Sequence, residues 1–191
     1  MTEIEQYIES YFGIRKNNLS VIANLFEARS LEKGDFLLKA GQYSRNLSFL
    51  KSGYLRIYAS SKAGEKEVTQ WISTKGNFVT DLASFMFQQP ARWSIQALSP
   101  CELYSISEEK YGKIGDYISE WQELEKLFIS KCFVMLENRI FSHLSLSAEE
   151  RYQLLFEQNP DLFNHVPLHY LASMLGMTPE TFSRIRKKRS S

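Results

Sequence analysis

The chain has 191 residues, 43% of them hydrophobic and 24% charged. That is enough for one large domain or two small ones, and it excludes disordered, collagen-like and purely coiled-coil proteins. Lys and Arg number 23 against 22 Asp and Glu, a net charge of +1, and a balance of this kind argues, taken alone, against a nucleic-acid binder.

The glutamate-rich N-terminus has no apolar run and does not read as a signal peptide. No window reaches the roughly 18 apolar residues of a membrane span. The two cysteines, Cys101 and Cys132, form no C-x-x-C pair. They suit a reducing compartment and support neither a disulfide framework nor a zinc or iron–sulfur site. A cytoplasmic protein without cofactor or membrane partner is expected.

Residues 2–29 carry a helical pattern, Ile4, Ile8, Phe12 and then Leu19, Ile22, Phe26. Gly13 and Asn17–Asn18 divide it into two short helices. From Ser30 the texture changes. Glycines stand at 34, 41, 53, 64 and 76 between short runs at 36–38, 47–50, 54–58 and 68–72, and two alternating runs follow at 93–98 and 102–106. Short β-prone runs between regular turns predict an antiparallel barrel or sandwich. Ala63–Gly64 reads as a hairpin turn.

A long helix is predicted from about Asp116. One stripe holds Ile114, Tyr117, Trp121, Leu124, Phe128, Cys132 and Met135, and another holds Ile129, Phe133, Leu136, Ile140 and Leu144. A helix apolar on two faces needs two partners: its own domain and a second subunit. Trp121, Leu124, Phe128 and Met135 are the candidate residues of this dimer helix. Ser147 and Glu150 then spell a capping box for another helix, which Pro160 stops. A connector at 161–166 leads to Pro167, placed at the first turn of the next helix.

The last 25 residues are the most informative. Leu168, Leu171, Ala172 and Leu175 share a helical face, Gly176 suits a left-handed stop, and Met177 is an apolar plug. Thr178 is a helix N-cap with Pro179 at the first position, and Phe182 and Ile185 form the inner stripe of a second helix. This is a helix–turn–helix pattern. Glu180, Ser183, Arg184 and Lys187 point away from the stripe. Arg can pair with the guanine edge in a major groove, and Glu can accept from cytosine. Residues 168–191 hold five basic residues and one acid, a local charge of +4 that leaves −3 elsewhere. The candidate DNA-binding residues are Thr178, Pro179, Glu180, Ser183, Arg184, Arg186, Lys187 and Lys188.

In this order of parts the chain resembles the Crp/Fnr family of bacterial transcription regulators. The likeness rests on the 169–186 segment and on Lys33-Gly34-Asp35, Leu47 to Gly53 and Gly76-Asn77-Phe78. It implies an α+β protein with three parts. These are a cyclic-nucleotide-binding-like β-roll (a double-stranded β-helix) with N-terminal helices at 1–115, a dimerisation helix at 116–142, and a DNA-binding helix–turn–helix at 143–191. The implied partners are double-stranded DNA read as a roughly palindromic site, a second copy of the chain, RNA polymerase and a small-molecule effector. By resemblance Glu180 and Arg184 contact bases, while Pro179 stands where the cyclic-AMP receptor protein has a DNA-contacting Arg.

Two departures stand out. The family's cassette pairs a Glu for the ribose with an Arg for the phosphate. Here Ala91 falls at the Arg position, Arg92 lies one step away on the opposite strand face, Trp93 replaces a small residue, and Asp81 is a shorter acid. Thr80, Asp81, Leu82, Arg92 and Trp93 remain the candidate effector pocket, but a buried phosphate without a cation is costly, so cyclic AMP is not the expected ligand. The second departure is that no β-hairpin wing is expected after the recognition helix. The alternative function is a ligand-binding or protein-interaction module without sequence-specific DNA binding. An enzyme is not expected: residues 30–110 hold no histidine, and no nucleophile or phosphate-loop motif appears. His165 and His169 have metal-ligand spacing, but Pro167 lies between them.

Overall fold

Thr2 opens the first helix, α1 (Glu3–Phe12), through a capping box: its hydroxyl accepts from the Glu5 N–H, and Glu5 accepts from the Thr2 N–H. Gly13, at φ 71°, closes it. A computed structural model describes residues 1–14, 16–61 and 66–190. Helix α2 (Lys16–Ala23) runs through Asn17–Asn18, where a break was expected. The helical region also ends early, because β1 (Glu27–Leu31) begins before Ser30. Its polar, mostly exposed sequence gave no strand signal.

The roll continues with β2 (Phe36–Leu38), β3 (Asn46–Ser52), β4 (Leu55–Ser60), β5 (Glu67–Ser73) and β6 (Phe78–Val79). Then come α3 (Leu82–Phe87), β7 (Ser94–Ala97) and β8 (Cys101–Ser107). Two four-stranded antiparallel sheets form, in the orders β1-β8-β3-β6 and β2-β7-β4-β5. Six strands fall on the expected runs. The two-residue β6 is too short for any periodicity to reveal. The Ala63–Gly64 turn lies outside the described residues; the strands flanking it, β4 and β5, pair from Leu55↔Ser73 to Ser60↔Glu67. Gly53 is held at φ 91°, and a Cβ there would lie 2.4 Å from the Pro100 carbonyl oxygen, so the β3–β4 turn admits no side chain. Leu31, Leu50, Leu55, Ile57, Ile95 and Leu103 fill the space between the sheets.

After β8, α4 (Glu108–Gly112) and a 3-10 turn at Ile114–Asp116 lead into α5 (Trp121–Ser145). The helix thus starts five residues later than the predicted Asp116. Ile114, Ile118 and Trp121 are all buried, so the turn's own apolar spacing imitates another helical turn. Trp121, Phe128 and Cys132 pack inward with α1. Ring centroids lie 4.6 Å apart for Phe12–Phe128 and 5.2 Å for Phe12–Trp121. Leu124 is half-buried in the same cluster.

This corrects the expected dimer seam. Trp121, Leu124 and Phe128 serve the chain's own core, and of that set only Met135 is exposed. The apolar face left outward is Phe133, Leu136, Ile140 and Leu144, the last 82% exposed.

Helix α6 (Ala148–Gln158) opens on the Ser147/Glu150 capping box. The 161–166 connector contains one helical turn, α7 (Leu162–His165). Then come α8 (Leu168–Met174), for which Pro167 is the residue before the first turn, and α9 (Pro179–Ser190). Tyr152, Leu162, Leu171, Ala172, Phe182 and Ile185 form their core, which also takes in Ile72 of β5. Among the described residues no helix is long and apolar enough to cross a membrane.

Candidate nucleic-acid interface and sensor cassette

The turn between α8 and α9 follows from four residues. Gly176 adopts φ 69°, the left-handed conformation that closes α8. The Met177 N–H donates to the Ala172 carbonyl, and the Met177 side chain packs against the core. The Thr178 hydroxyl accepts from the Thr181 N–H at 3.2 Å, and Pro179 begins α9. Ala172 is fully buried, so the two helices approach closely.

With Phe182 and Ile185 turned inward, Pro179, Glu180, Ser183, Arg184 and Lys187 line one exposed concavity. Glu180 sits in the first turn of α9. Its own backbone N–H and the Thr178 hydroxyl hold its carboxyl below the usual carboxylate range, so it remains an acceptor at neutral pH. Arg186 is also exposed. Lys188 is directed elsewhere, pairing with Glu149 of α6 at 3.0 Å, which ties the second half of α9 to its own domain. The exposed surface therefore offers both acceptor and donor groups on the outer side of a helix held by a packed inner stripe.

Sequence reasoning missed how this head is attached. Strand β4 is buried at four successive positions, Leu55 to Tyr58. One parity faces the roll interior, and the other faces α8. Arg56, 2% exposed, donates to the Thr69 hydroxyl at 3.0 Å and pairs with Glu67. Its guanidinium lies 3.8 Å from the Tyr170 ring centroid and 4.1 Å from that of Tyr58, within the range of a cation–π contact. The Thr69 N–H donates to the Ser173 hydroxyl at 3.0 Å, and Tyr54 stacks on His165 at 5.5 Å. The terminal carbonyls of α8, which have no partner inside the helix, are met by arginines from outside. Arg139 donates to Met174 at 3.0 Å, and Arg151 donates to Leu175 at 3.0 Å. The one available signal was an arginine inside an aromatic-rich strand, Tyr54-Leu55-Arg56-Ile57-Tyr58.

The cassette is built around Asp81. It is 3% exposed, caps α3 through the Ser84 N–H at 3.0 Å, and accepts from the Arg92 and Trp93 N–H groups at 2.9 and 3.1 Å. Thr80 donates to the Asn46 carbonyl and lies 3.0 Å from the Ser44 hydroxyl. Thr80 and Asp81 are thus engaged with the protein's own frame. Leu82 and Trp93 are half-buried, and Arg92 is exposed with its guanidinium 4.9 Å over the Trp93 ring. Ala91 is buried. The Asp81 carboxylate is thus occupied by the protein's own backbone donors, and the Arg92 guanidinium is directed over a ring. A cleft of about 790 Å³ lies elsewhere, between β5, α5, α6 and α8. Among the described residues no group of three or more His, Cys, Asp and Glu could hold a metal.

Residues 28–116 match the family model of the cyclic nucleotide-binding domain. No curated protein sequence matches the chain significantly. Among solved structures, the chain is similar to FixK2 from Bradyrhizobium japonicum, with 15% identity over 85% of this chain and 83% of that one and a TM-score of 0.70. The c-di-GMP responsive global regulator CLP of Xanthomonas campestris shares 17% identity over 92% of each chain, with a TM-score of 0.69. The Thermus thermophilus catabolite activator protein shares 18% identity over 93% of this chain and 84% of that one, with a TM-score of 0.58. Of these neighbours, CLP is described as a global regulator and the Thermus thermophilus protein as a catabolite activator. Residues 28–116 are thus similar to the cyclic nucleotide-binding domain, and the chain as a whole shares the fold of these neighbours.

Proposed function

We propose that the protein is a Crp/Fnr-type transcription regulator that binds a roughly palindromic DNA site as a homodimer and is not controlled by cyclic AMP. The observation that carries the reading is the outer face of α9, where Glu180, Ser183, Arg184 and Lys187 stand together while Phe182 and Ile185 are buried. Such a helix can place its first turns against base edges in a major groove. In this reading residues 1–115 act as sensor, α5 joins two copies through its outward apolar face, and residues 143–191 read DNA. Two recognition helices would meet half-sites about 34 Å apart. The cassette supports the second part of the proposal, since nothing cationic lies at Ala91 to meet a buried phosphate.

Selection from a random double-stranded DNA pool tests the proposal. Enrichment of a two-fold symmetric motif is expected. Failure of a well-folded protein to enrich any sequence would instead favour a ligand-binding or protein-interaction module of the same fold.

A further inference from the structure

One cleft lies between the roll, α5 and the C-terminal helices. Its walls are largely apolar, with Trp71, Leu127, Val134, Met135, Leu154 and Leu155 prominent. Its charged and titratable residues are all basic: Lys131, Arg139, His143 and Arg151, with no Asp or Glu among the described residues that line it. Arg139 is half-buried. Burial pulls its pKa down to about 10, so it stays charged at neutral pH. Its guanidinium lies 4.9 Å over Trp71 and donates to the Met174 carbonyl, a neutral acceptor. A cation taken out of water is stabilised by a counter-charge, and the lining of the cleft supplies none.

We infer that this cleft binds an amphipathic carboxylate: an aliphatic chain lying along the α5 and α6 walls, with its carboxylate on the Arg139 side. A volume of about 790 Å³ suits a small organic ligand, and mostly apolar walls with a few convergent polar groups are the usual form of such sites. The commitment to an anion rests on charge complementarity; the commitment to an aliphatic chain rests on the Leu, Val and Met walls. Such a ligand would touch β5, α5, α6 and the end of α8 together, so it would favour one placement of the reading head over others.

The test uses the full chain without DNA, so its outcome is separate from that of DNA binding. Dodecanoate below its micelle concentration is titrated by calorimetry, with dodecylamine as the length-matched cation. Dodecanoate is expected to bind one per chain, and dodecylamine is expected to give no saturable heat. Arg139→Gln keeps a donor for the Met174 carbonyl and removes the charge, and it should weaken dodecanoate about tenfold or more. Leu154→Trp narrows the cleft from the opposite wall and should abolish binding with the melting temperature retained; this keeps the proposal testable if the Arg139 variant folds poorly. Equal binding of the amine, wild-type affinity in Arg139→Gln, or unchanged binding in a folded Leu154→Trp would overturn it. So would dissociation of the oligomer in step with binding, which would make the cleft an interface between copies.

Discussion

Arg184 and Asp81 illustrate two opposite uses of a charged side chain. Arg184 is exposed on the outer face of α9, beside Glu180 and Ser183. In the proposed reading its removal leaves the folded chain intact and withdraws a two-donor fork from a base edge. On a selected site Arg184→Ala should cost about 1–3 kcal/mol and relax preference at one base pair per half-site, as read by anisotropy titration. Asp81 is the reverse case. It is buried and accepts from three backbone N–H groups, one in the first turn of α3 and two beyond its end. Asp81→Ala strands those donors. Urea denaturation should show a loss of about 2 kcal/mol or more, since hydrogen bonds to a charged group contribute about 1.5–3 kcal/mol each. An unchanged midpoint would mean that water replaces the carboxylate at no cost.

At the scale of elements, α5 carries two different apolar faces. Phe128 is fully buried against Phe12 and Phe78, with ring centroids 4.6 and 5.1 Å away. Phe128→Ala should cost about 3–5 kcal/mol of chain stability. Ile140 is 59% exposed on the other face. Ile140→Glu should leave the fold intact but convert a dimer to monomer in sedimentation; a persistent dimer would place the interface elsewhere. The sequence made both stripes visible, because helical period survives any environment. It did not tell which stripe met the sensor, since that is decided by α1, a distant segment. Strands that alternate were legible for the same reason as the helices. The polar β1 and the two-residue β6 were not, because each is held by its neighbours in the sheet and not by a pattern of its own. The reading face of α9 could be drawn from local spacing alone. Its attachment to the sensor could not, for Thr69 and Ser173 lie 104 residues apart.

Across the whole molecule, the core of the C-terminal helices takes in Ile72 of the roll, and the buried Arg56 links the two parts. The effector question belongs to this scale, because a ligand stabilises the fold only if the native state binds it. Cyclic AMP at millimolar concentration should leave the melting temperature unchanged. A site filled to 100 times its dissociation constant would contribute about 2.7 kcal/mol and raise it measurably, so a clear rise would overturn the reading of the cassette. The shared sheet face has a further consequence for recombination. The outer surface of β4 and β5 is shaped to the α8 residues Tyr170 and Ser173. Grafting a neighbour's C-terminal helices onto this roll would therefore not be a neutral exchange. A graft whose α8 lacks an aromatic ring over Arg56 would leave a desolvated cation facing a gap. In the proposed reading, base preference is then best changed within α9, at the outward positions Glu180, Ser183 and Arg184.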